Sequence, residues 1–309
     1  MAFEYREFPL SEDDFSRRID KILRKFLPKM PLSLIYKALR TGKILINHKK
    51  VDGKYITCAN DILYVENFLF ENFQKEVAEK KFHSSDKAEI IFQNEHILVV
   101  NKPYGLPVYG KNEPSVLDLV ENTVSKQSLS FRVGPLHRLD KTTTGLLFFS
   151  QSLIGAQEFS RVLQEKSVKK TYSTLLCGHM AKEEYWEDKI QKEDGKLWTK
   201  SSVNPLGKMA ITHVFPLKRG FINKNPVTFA EIEILTGRPH QIRTVCAFHG
   251  FPLLGDTKYG GKPFEQYGKK LFLHATDFNI LSEDDFPFPK TFHCPMDENF
   301  QTLITNMVQ

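Results

Sequence analysis

From residue 90 onward the apolar residues come in runs the length of a strand, and this restricts the fold more than any other feature. IIFQNEHILVVNKP at 90–103 first alternates and then becomes continuously apolar, a pattern that predicts two strands. Further strands are expected at Leu146–Ser150, Thr171–Cys177, Ala210–Pro216 and Ala230–Leu235, with a helix over Ile154–Gln164. Strands outnumber helices and do not alternate with them in βαβ order. The predicted class is therefore α+β, built on a mixed, largely antiparallel sheet. Runs such as ILVV at 97–100 and LLFF at 146–149 are far too short to cross a bilayer. A chain of 309 residues, 41% hydrophobic and 26% charged, suits a soluble protein with one large domain and one small one.

The N-terminal part follows a different pattern. Phe15, Ile19, Ile22 and Phe26 recur at helical spacing, with Leu23 and Leu27 widening the stripe and basic residues on the other side. Pro31 can open a second helix through Leu34, Ile35, Ala38 and Leu39, and Gly42 can end it. Two strand-like pieces follow, Ile44–Asn47 and Ile62–Val65, on either side of a polar turn at Asp52-Gly53.

Between Arg17 and Lys54, twelve basic residues face only Asp20 and Asp52, a local charge of +10. Since the whole chain carries +6, the remainder carries −4. A short basic module on a slightly acidic body is suited to binding a polyanion, although a merely solvated lysine-rich surface is the blander alternative. The expected organisation is a basic α/β RNA-binding domain over 1–67 with its core at 15–67. A linker at 68–86, whose aromatics suggest partial packing, and a large domain at 87–309 complete it.

The opening MAFEYREFPLSEDD carries acids and lacks an apolar core, so no signal peptide is expected and a cytoplasmic location is. Cys58, Cys177, Cys246 and Cys294 form no CxxC pair, which predicts buried thiols and no metal site; the neighbours His293 and Cys294 do not make one alone.

The densest chemistry lies in GPLHRLDKTTTGLLFFS at 134–150. Gly134-Pro135 breaks the chain and LLFF reads as a buried strand, which leaves Asp140 in the intervening loop. A carboxylate between Arg138 and Lys141 stays ionised, because opposite charge favours the charged form. On these residues alone, an aspartate capping a turn remains the commoner reading.

HRLDKTTTGLL resembles the signature of the RluA-type pseudouridine synthases, whose motif aspartate is catalytic. The other blocks of that family follow in its order: NKPYGLPV at 101–108, SVKKTYSTLLCG at 167–178, GKMAITHV at 207–214, TGRPHQIR at 236–243, LLGDTKYGG at 253–261 and LFLHA at 271–275. The resemblance spans about residues 88–280. Two positions depart from it: Thr142 stands where the family often has an acid, and Val245 where it commonly has a histidine. The segment 17–65 resembles in addition the RNA-binding domain first described in the fourth small-subunit ribosomal protein.

The resemblance implies a cofactor-independent isomerase that converts uridine to pseudouridine in structured RNA. Asp140, Tyr172 and Arg238 are the implied catalytic residues, with Arg238 as the ion-pair partner of Asp140. Arg138 is implied to enter the space vacated by the extruded base and Leu273 to line the uracil pocket. A structural hydrogen-bonding role is expected for His137, and Arg17, Arg18, Lys21, Arg40 and Lys43 are the expected RNA contacts of the basic module. Whether Asp140 attacks the ribose, attacks the uracil or stabilises developing charge is left open. The expected partner is large-subunit ribosomal RNA or a pre-ribosome, with transfer RNA as the alternative, and the protein is expected to act as a monomer without metal or membrane. A non-catalytic assembly factor shares the basic module but has no use for the HRLDK and TGRPHQIR blocks. A hydrolase using His137 and Asp140 lacks a nucleophile elbow and a second carboxylate motif.

Overall fold

The computed structural model describes residues 3–74, 88–110, 113–124, 128–194, 199–263 and 270–308. The N-terminal part comprises β1 (Tyr5–Pro9), α1 (Ile19–Phe26), α2 (Leu32–Thr41), β2 (Ile44–Ile46), β3 (Ile62–Glu66) and α3 (Asn67–Phe73). Its three strands pair antiparallel in the order β1-β3-β2. The helical stripe read from the sequence is the buried face: Ile19, Ile22, Leu23 and Leu27 are each fully buried. Burying such a side chain contributes about 1.5–3 kcal/mol, enough for α1 to hold its place in a small core. Gly42 ends α2 in a left-handed conformation, its N–H donating to Ala38 and Leu39 carbonyls.

Three expectations need correction. Strand β1 lies ahead of the expected core, because it pairs with β3 from more than 50 residues away and leaves no local signal. The first part of the expected linker is α3, which buries Leu69 against the N-terminal core; residues 75–87 lie outside the described ones. Cys58 is exposed, whereas Cys246 and Cys294 are buried.

The larger part continues with β4 (Glu89–Gln93), β5 (Ile97–Lys102), α4 (Val116–Thr123), β6 (Gly134–Pro135), β7 (Thr144–Ser150), α5 (Leu153–Gln164) and β8 (Val168–Cys177). It goes on through β9 (Glu184–Asp194), β10 (Thr199–Val203), β11 (Lys208–Ile222), β12 (Asn225–Ile234), α6 (Gln241–Phe248), β13 (Leu273–Ile280), β14 (Thr291–His293) and α7 (Glu298–Thr305). The strands form one sheet in the order β10-β9-β11-β12-β8-β13-β7-β5-β4, with β14 beside β13 and β6 beside β7. Among the described strands the one parallel pairing joins β13 to β7, so the sheet is mixed and largely antiparallel as its sequence predicts. Gly145 makes that junction possible: with φ near +100°, it has no Cβ where one would lie 2.3 Å from the Ala275 carbonyl.

The two parts touch through a buried carboxylate. Asp14 accepts hydrogen bonds from Ser128 Oγ at 2.9 Å, Ser130 Oγ at 2.6 Å and the Ser130 N–H at 2.9 Å. Burial acts to raise its pKa, but hydrogen bonds from Ser130, Leu129, Ser11 and Ser128 outweigh it and hold the group below the usual carboxylate value. Arg17 Nη1 adds a bond to Ser130 Oγ at 2.8 Å, and the Leu153 N–H donates to Asp13 at 2.6 Å.

Candidate active site

Asp140 lies on the loop that enters β7, next to the parallel junction. The pairing of β6 with β7 runs on through Leu136, whose N–H donates to the Phe148 carbonyl at 2.8 Å. His137 then turns inward. Its Nε2 accepts the Phe148 N–H at 3.2 Å and its ring lies against Phe148, Phe159 and Phe278. Burial, with Lys170 adding to it, pushes the His137 pKa down to about 3, so the ring is neutral and holds the loop.

On the other side of Asp140 a buried lysine gathers the backbone. Lys102 Nζ donates to the carbonyls of Pro103 at 2.9 Å, Lys141 at 3.1 Å and Thr143 at 2.8 Å. Its side chain is wholly buried, and desolvation lowers its pKa to about 8 against the opposing pull of Asp140. Lys102 is the last residue of β5, and no local pattern marks it as buried. Its signal was its place in the NKPYGLPV block.

The Asp140 carboxylate faces two basic groups. Arg243 Nη1 stands 3.6 Å from Oδ2, and His240 Nε2 stands 3.8 Å from Oδ1. Arg243 is itself held by Asp256, through Nε at 2.7 Å and Nη2 at 2.8 Å. Burial lowers the Arg243 pKa, but Asp256 and then Asp140 outweigh it, and the group stays charged. His240 occupies the left-handed region ahead of α6 and shares a 2.6 Å hydrogen bond between Nδ1 and Tyr259 Oη. Burial lowers its pKa, with Asp140 opposing.

The expected pairing of Asp140 with Arg238 is not formed. Arg238 sits in the turn before α6 and donates from Nε to the Met209 carbonyl at 2.8 Å, while its N–H caps onto Gln241 Oε1 at 3.0 Å. Both arginines belong to TGRPHQIR, but only the second lies inside α6, where Gln241 to Cys246 are all buried.

Tyr172, in β8, is buried; desolvation first and the Asp140 charge second raise its pKa well above the tyrosine norm. A phenol so placed remains protonated and offers a donor. Arg138 is exposed, and with Tyr104, Tyr109, Asp140, His240 and Arg243 it lines a cavity of about 700 Å³. Leu139 and Leu271 are the leucines of that wall; Leu273, expected there, is buried in the core as part of β13. Of the two departures from the family pattern, Thr142 lies in the cavity wall and Val245 is fully buried in α6.

In the N-terminal part, Lys21 and Arg40 are exposed. Arg18 pairs two-pronged with Asp20 and Lys43 with Glu66 at 2.8 Å, while Arg17 reaches across to Ser130. Arg40, Lys37, Tyr36, Ser33, Asp52 and Gly53 line a second cleft of about 380 Å³. Among the described residues no three His, Cys, Asp or Glu side chains gather as a metal-ligand set, and no helix is long and apolar enough to cross a membrane.

The family profile for RNA pseudouridylate synthase matches residues 96–248, a span that holds Asp140, Tyr172, His240 and Arg243. The chain is 28% identical to the ribosomal large subunit pseudouridine synthase C of Vibrio cholerae, over 97% of this chain and 96% of that one. It is 31% identical to the protein of the same name from Rickettsia bellii, over 87% and 91%. Its fold matches that of human RNA pseudouridylate synthase domain containing 1 with a TM-score of 0.55 at 22% identity, over 74% of this chain and all of that one. The chain belongs to the RNA pseudouridylate synthase family: it is an isomerase that converts uridine to pseudouridine in RNA.

Proposed function

We propose that this RNA pseudouridine synthase modifies uridines of large-subunit ribosomal RNA in the cytoplasm, acting as a monomer with Asp140 as the reacting carboxylate. Two relatives that span nearly all of the chain are named for that RNA, and this carries the choice of substrate. The mechanism rests on a partly exposed carboxylate at the wall of an open cavity, beside a fixed arginine and an exposed one.

The reaction breaks the bond between the anomeric carbon and uracil N1, turns the base and joins the same carbon to C5. C5 gives up its hydrogen, N1 gains one, and the atoms balance. The target nucleotide must leave its stack to reach Asp140, and a cavity of about 700 Å³ is ample for one nucleotide. Asp140 then serves as nucleophile toward the ribose or the base. Arg243 takes the role read from the sequence for Arg238, facing the carboxylate as its ion-pair partner and aiming it. Tyr172, kept protonated, supplies a flat face and a donor; Arg138 fills the gap that the extruded base leaves.

Residues 3–73 act as an RNA-binding domain like that of the fourth small-subunit ribosomal protein. Its compact helical core and +10 segment support that reading, with Lys21 and Arg40 as exposed phosphate contacts. Mapping pseudouridine in ribosomal RNA after treatment with the parent protein and with Asp140→Asn tests the whole. The parent should modify defined large-subunit sites, and the variant should modify none while binding RNA normally. Turnover by Asp140→Asn refutes the mechanism, and sites confined to transfer RNA refute the substrate.

A further inference from the structure

One aromatic side chain at the mouth of the cavity has no task in the reaction as drawn above. Tyr109 is 60% exposed and lines the same cavity as Arg138, Asp140, His240 and Arg243. Among the described residues its side chain has neither a hydrogen-bond partner nor a ring partner. A lone exposed aromatic is common on protein surfaces and means little by itself. What sets Tyr109 apart is the backbone that carries it.

That backbone is tied down on both sides. Val108, just ahead, is buried, and the Pro107 and Val108 carbonyls accept the N–H groups of Val116 at 2.9 Å and Leu117 at 3.2 Å, in the first turn of α4. The Gly105 N–H donates to the Lys141 carbonyl at 2.9 Å, which joins the segment to the residue after Asp140. Just beyond Tyr109, Gly110 passes so close to Glu113 that a Cβ would fall 1.8 Å from the Glu113 carbonyl oxygen. Glu113 in turn holds Lys141 Nζ at 2.6 Å. The segment bearing Tyr109 is therefore joined to Lys141 at both ends, and its place beside the reacting loop is fixed. A tyrosine on such a backbone presents a broad flat face and loses little conformational entropy when it binds.

Extrusion of a uridine takes one stacking face away from each neighbouring base. Arg138 fills the gap left in the stack, while the strand that bends into the cavity carries a neighbouring base to the mouth with a bare face. Aromatic side chains are a recurrent substitute for a lost stacking partner in RNA recognition. The cations Arg138 and Lys258 at the same rim favour a polyanion there over an apolar partner.

We propose that Tyr109 is a nucleotide subsite: its ring stacks on the base next to the target uridine once that uridine has been extruded. The inference rests on the reading that Asp140 acts on an extruded uridine. Every base has a stacking face, so the subsite steadies the extruded state without choosing the sequence.

Tyr109→Ala removes the ring, whereas Tyr109→Phe keeps it and removes only the hydroxyl. Both should be compared with the parent and Asp140→Asn on one RNA stem-loop that the parent modifies. Two further copies of that stem-loop carry an abasic ribose on the upstream or the downstream side of the target. Tritium released from uracil C5 gives the single-turnover rate at subsaturating enzyme.

On the intact RNA, Tyr109→Ala should lose between about fivefold and 150-fold, the range that stacking of one base on an aromatic ring spans. Tyr109→Phe should lose distinctly less. On one of the two abasic RNAs the alanine variant should run within about twofold of the parent, because the base that the ring serves is already gone. A packing role has no such dependence on the RNA. An undiminished loss on both abasic RNAs overturns the proposal, as does a phenylalanine variant as slow as the alanine one, or an alanine variant as fast as the parent on intact RNA. If Tyr109→Ala does not fold, Tyr109→Leu takes its place, since leucine keeps bulk but has no flat face. An active Asp140→Asn would instead overturn the underlying reading, so the two failures are distinguishable.

Discussion

Two arginines five residues apart in one motif give the sharpest test of the site. Arg243→Met removes the cation 3.6 Å from Asp140 and at the same stroke the partner of the buried Asp256. At that separation and an effective dielectric constant of about 20, the attraction to Asp140 is on the order of 4–5 kcal/mol before Asp256 takes its share. If somewhat more than half of it acts in the transition state, the rate falls about 100-fold, at 1.36 kcal/mol per tenfold. Folding also suffers: a buried charge stripped of its partner costs about 3–5 kcal/mol, so melting must be measured alongside. Arg238→Met removes only a hydrogen bond to the Met209 carbonyl on a half-buried side chain. A bond of that type contributes about 1.5–3 kcal/mol at most, and none of it bears on Asp140. The assay follows tritium released from uracil C5, because each isomerisation replaces the C5–H bond with a C–C bond. Single-turnover rates across pH should show Arg238→Met close to the parent. Arg243→Met should be slow across the whole range, because the reacting carboxylate has lost the cation that faces it. A slow Arg238→Met beside a normal Arg243→Met would refute the assignment of the two arginines.

Lys21→Gln and Arg40→Gln should each lower the slope of log affinity against log salt for ribosomal RNA by about 0.7–0.9, the value of one phosphate contact. An unchanged slope in filter-binding titrations would remove both from the interface. Asp14→Ala should let the N-terminal part swing away from the body, seen as a larger radius in small-angle scattering, because four hydrogen bonds from Ser128, Leu129 and Ser130 to this carboxylate disappear. The parent should open likewise in acid. The Asp14 pKa is held below its ordinary 3.8, so its contribution is complete above that value and is lost as pH falls further. A radius that is constant down to pH 2, or unchanged in Asp14→Ala, would mean that other contacts hold the parts together.

What could be read from the sequence had a local cause. The stripe through Ile19, Ile22 and Phe26 fixed α1, Gly42 fixed the end of α2, and LLFF fixed the strand that follows Asp140. The eight-residue helix α6 escaped notice because six consecutive residues, Gln241 to Cys246, are buried and leave no polar face to give a 3.6-residue period. The choice of Arg238 over Arg243 failed for the same reason, since without α6 nothing in the turn distinguishes them. Asp256 and Lys102 left no signal beyond their places in the family blocks, for another cause. Each is a charged side chain fully enclosed by atoms from distant segments, and residues of that type are almost always exposed.

The same long-range assembly explains why blocks so far apart in the sequence belong to one site. Asp140 comes from the loop before β7, Lys102 from the end of β5, Tyr172 from β8, Arg243 from α6 and Asp256 from the turn after it. Three of them bear on the loop around Asp140, as does His137: Lys102 binds the carbonyls that follow it, His137 ties the residues before it to β7, Arg243 faces its carboxylate, and Asp256 holds Arg243. Charge is distributed on the same principle at larger scale. The −4 that offsets the +10 segment lies in residues 1–16, and residues 87–309 carry a net +3, so the body is close to neutral rather than acidic. The RNA contacts proposed above are the places where basic groups gather, on the N-terminal part and at the cavity rim, where Arg138, Lys141 and Lys258 stand. Because Asp14 clasps the segment 128–130, about ten residues ahead of Asp140, the distance between those two basic regions is set by the fold. If the N-terminal part holds phosphates as proposed, a target uridine is selected by how far it lies from them, as well as by the bases around it.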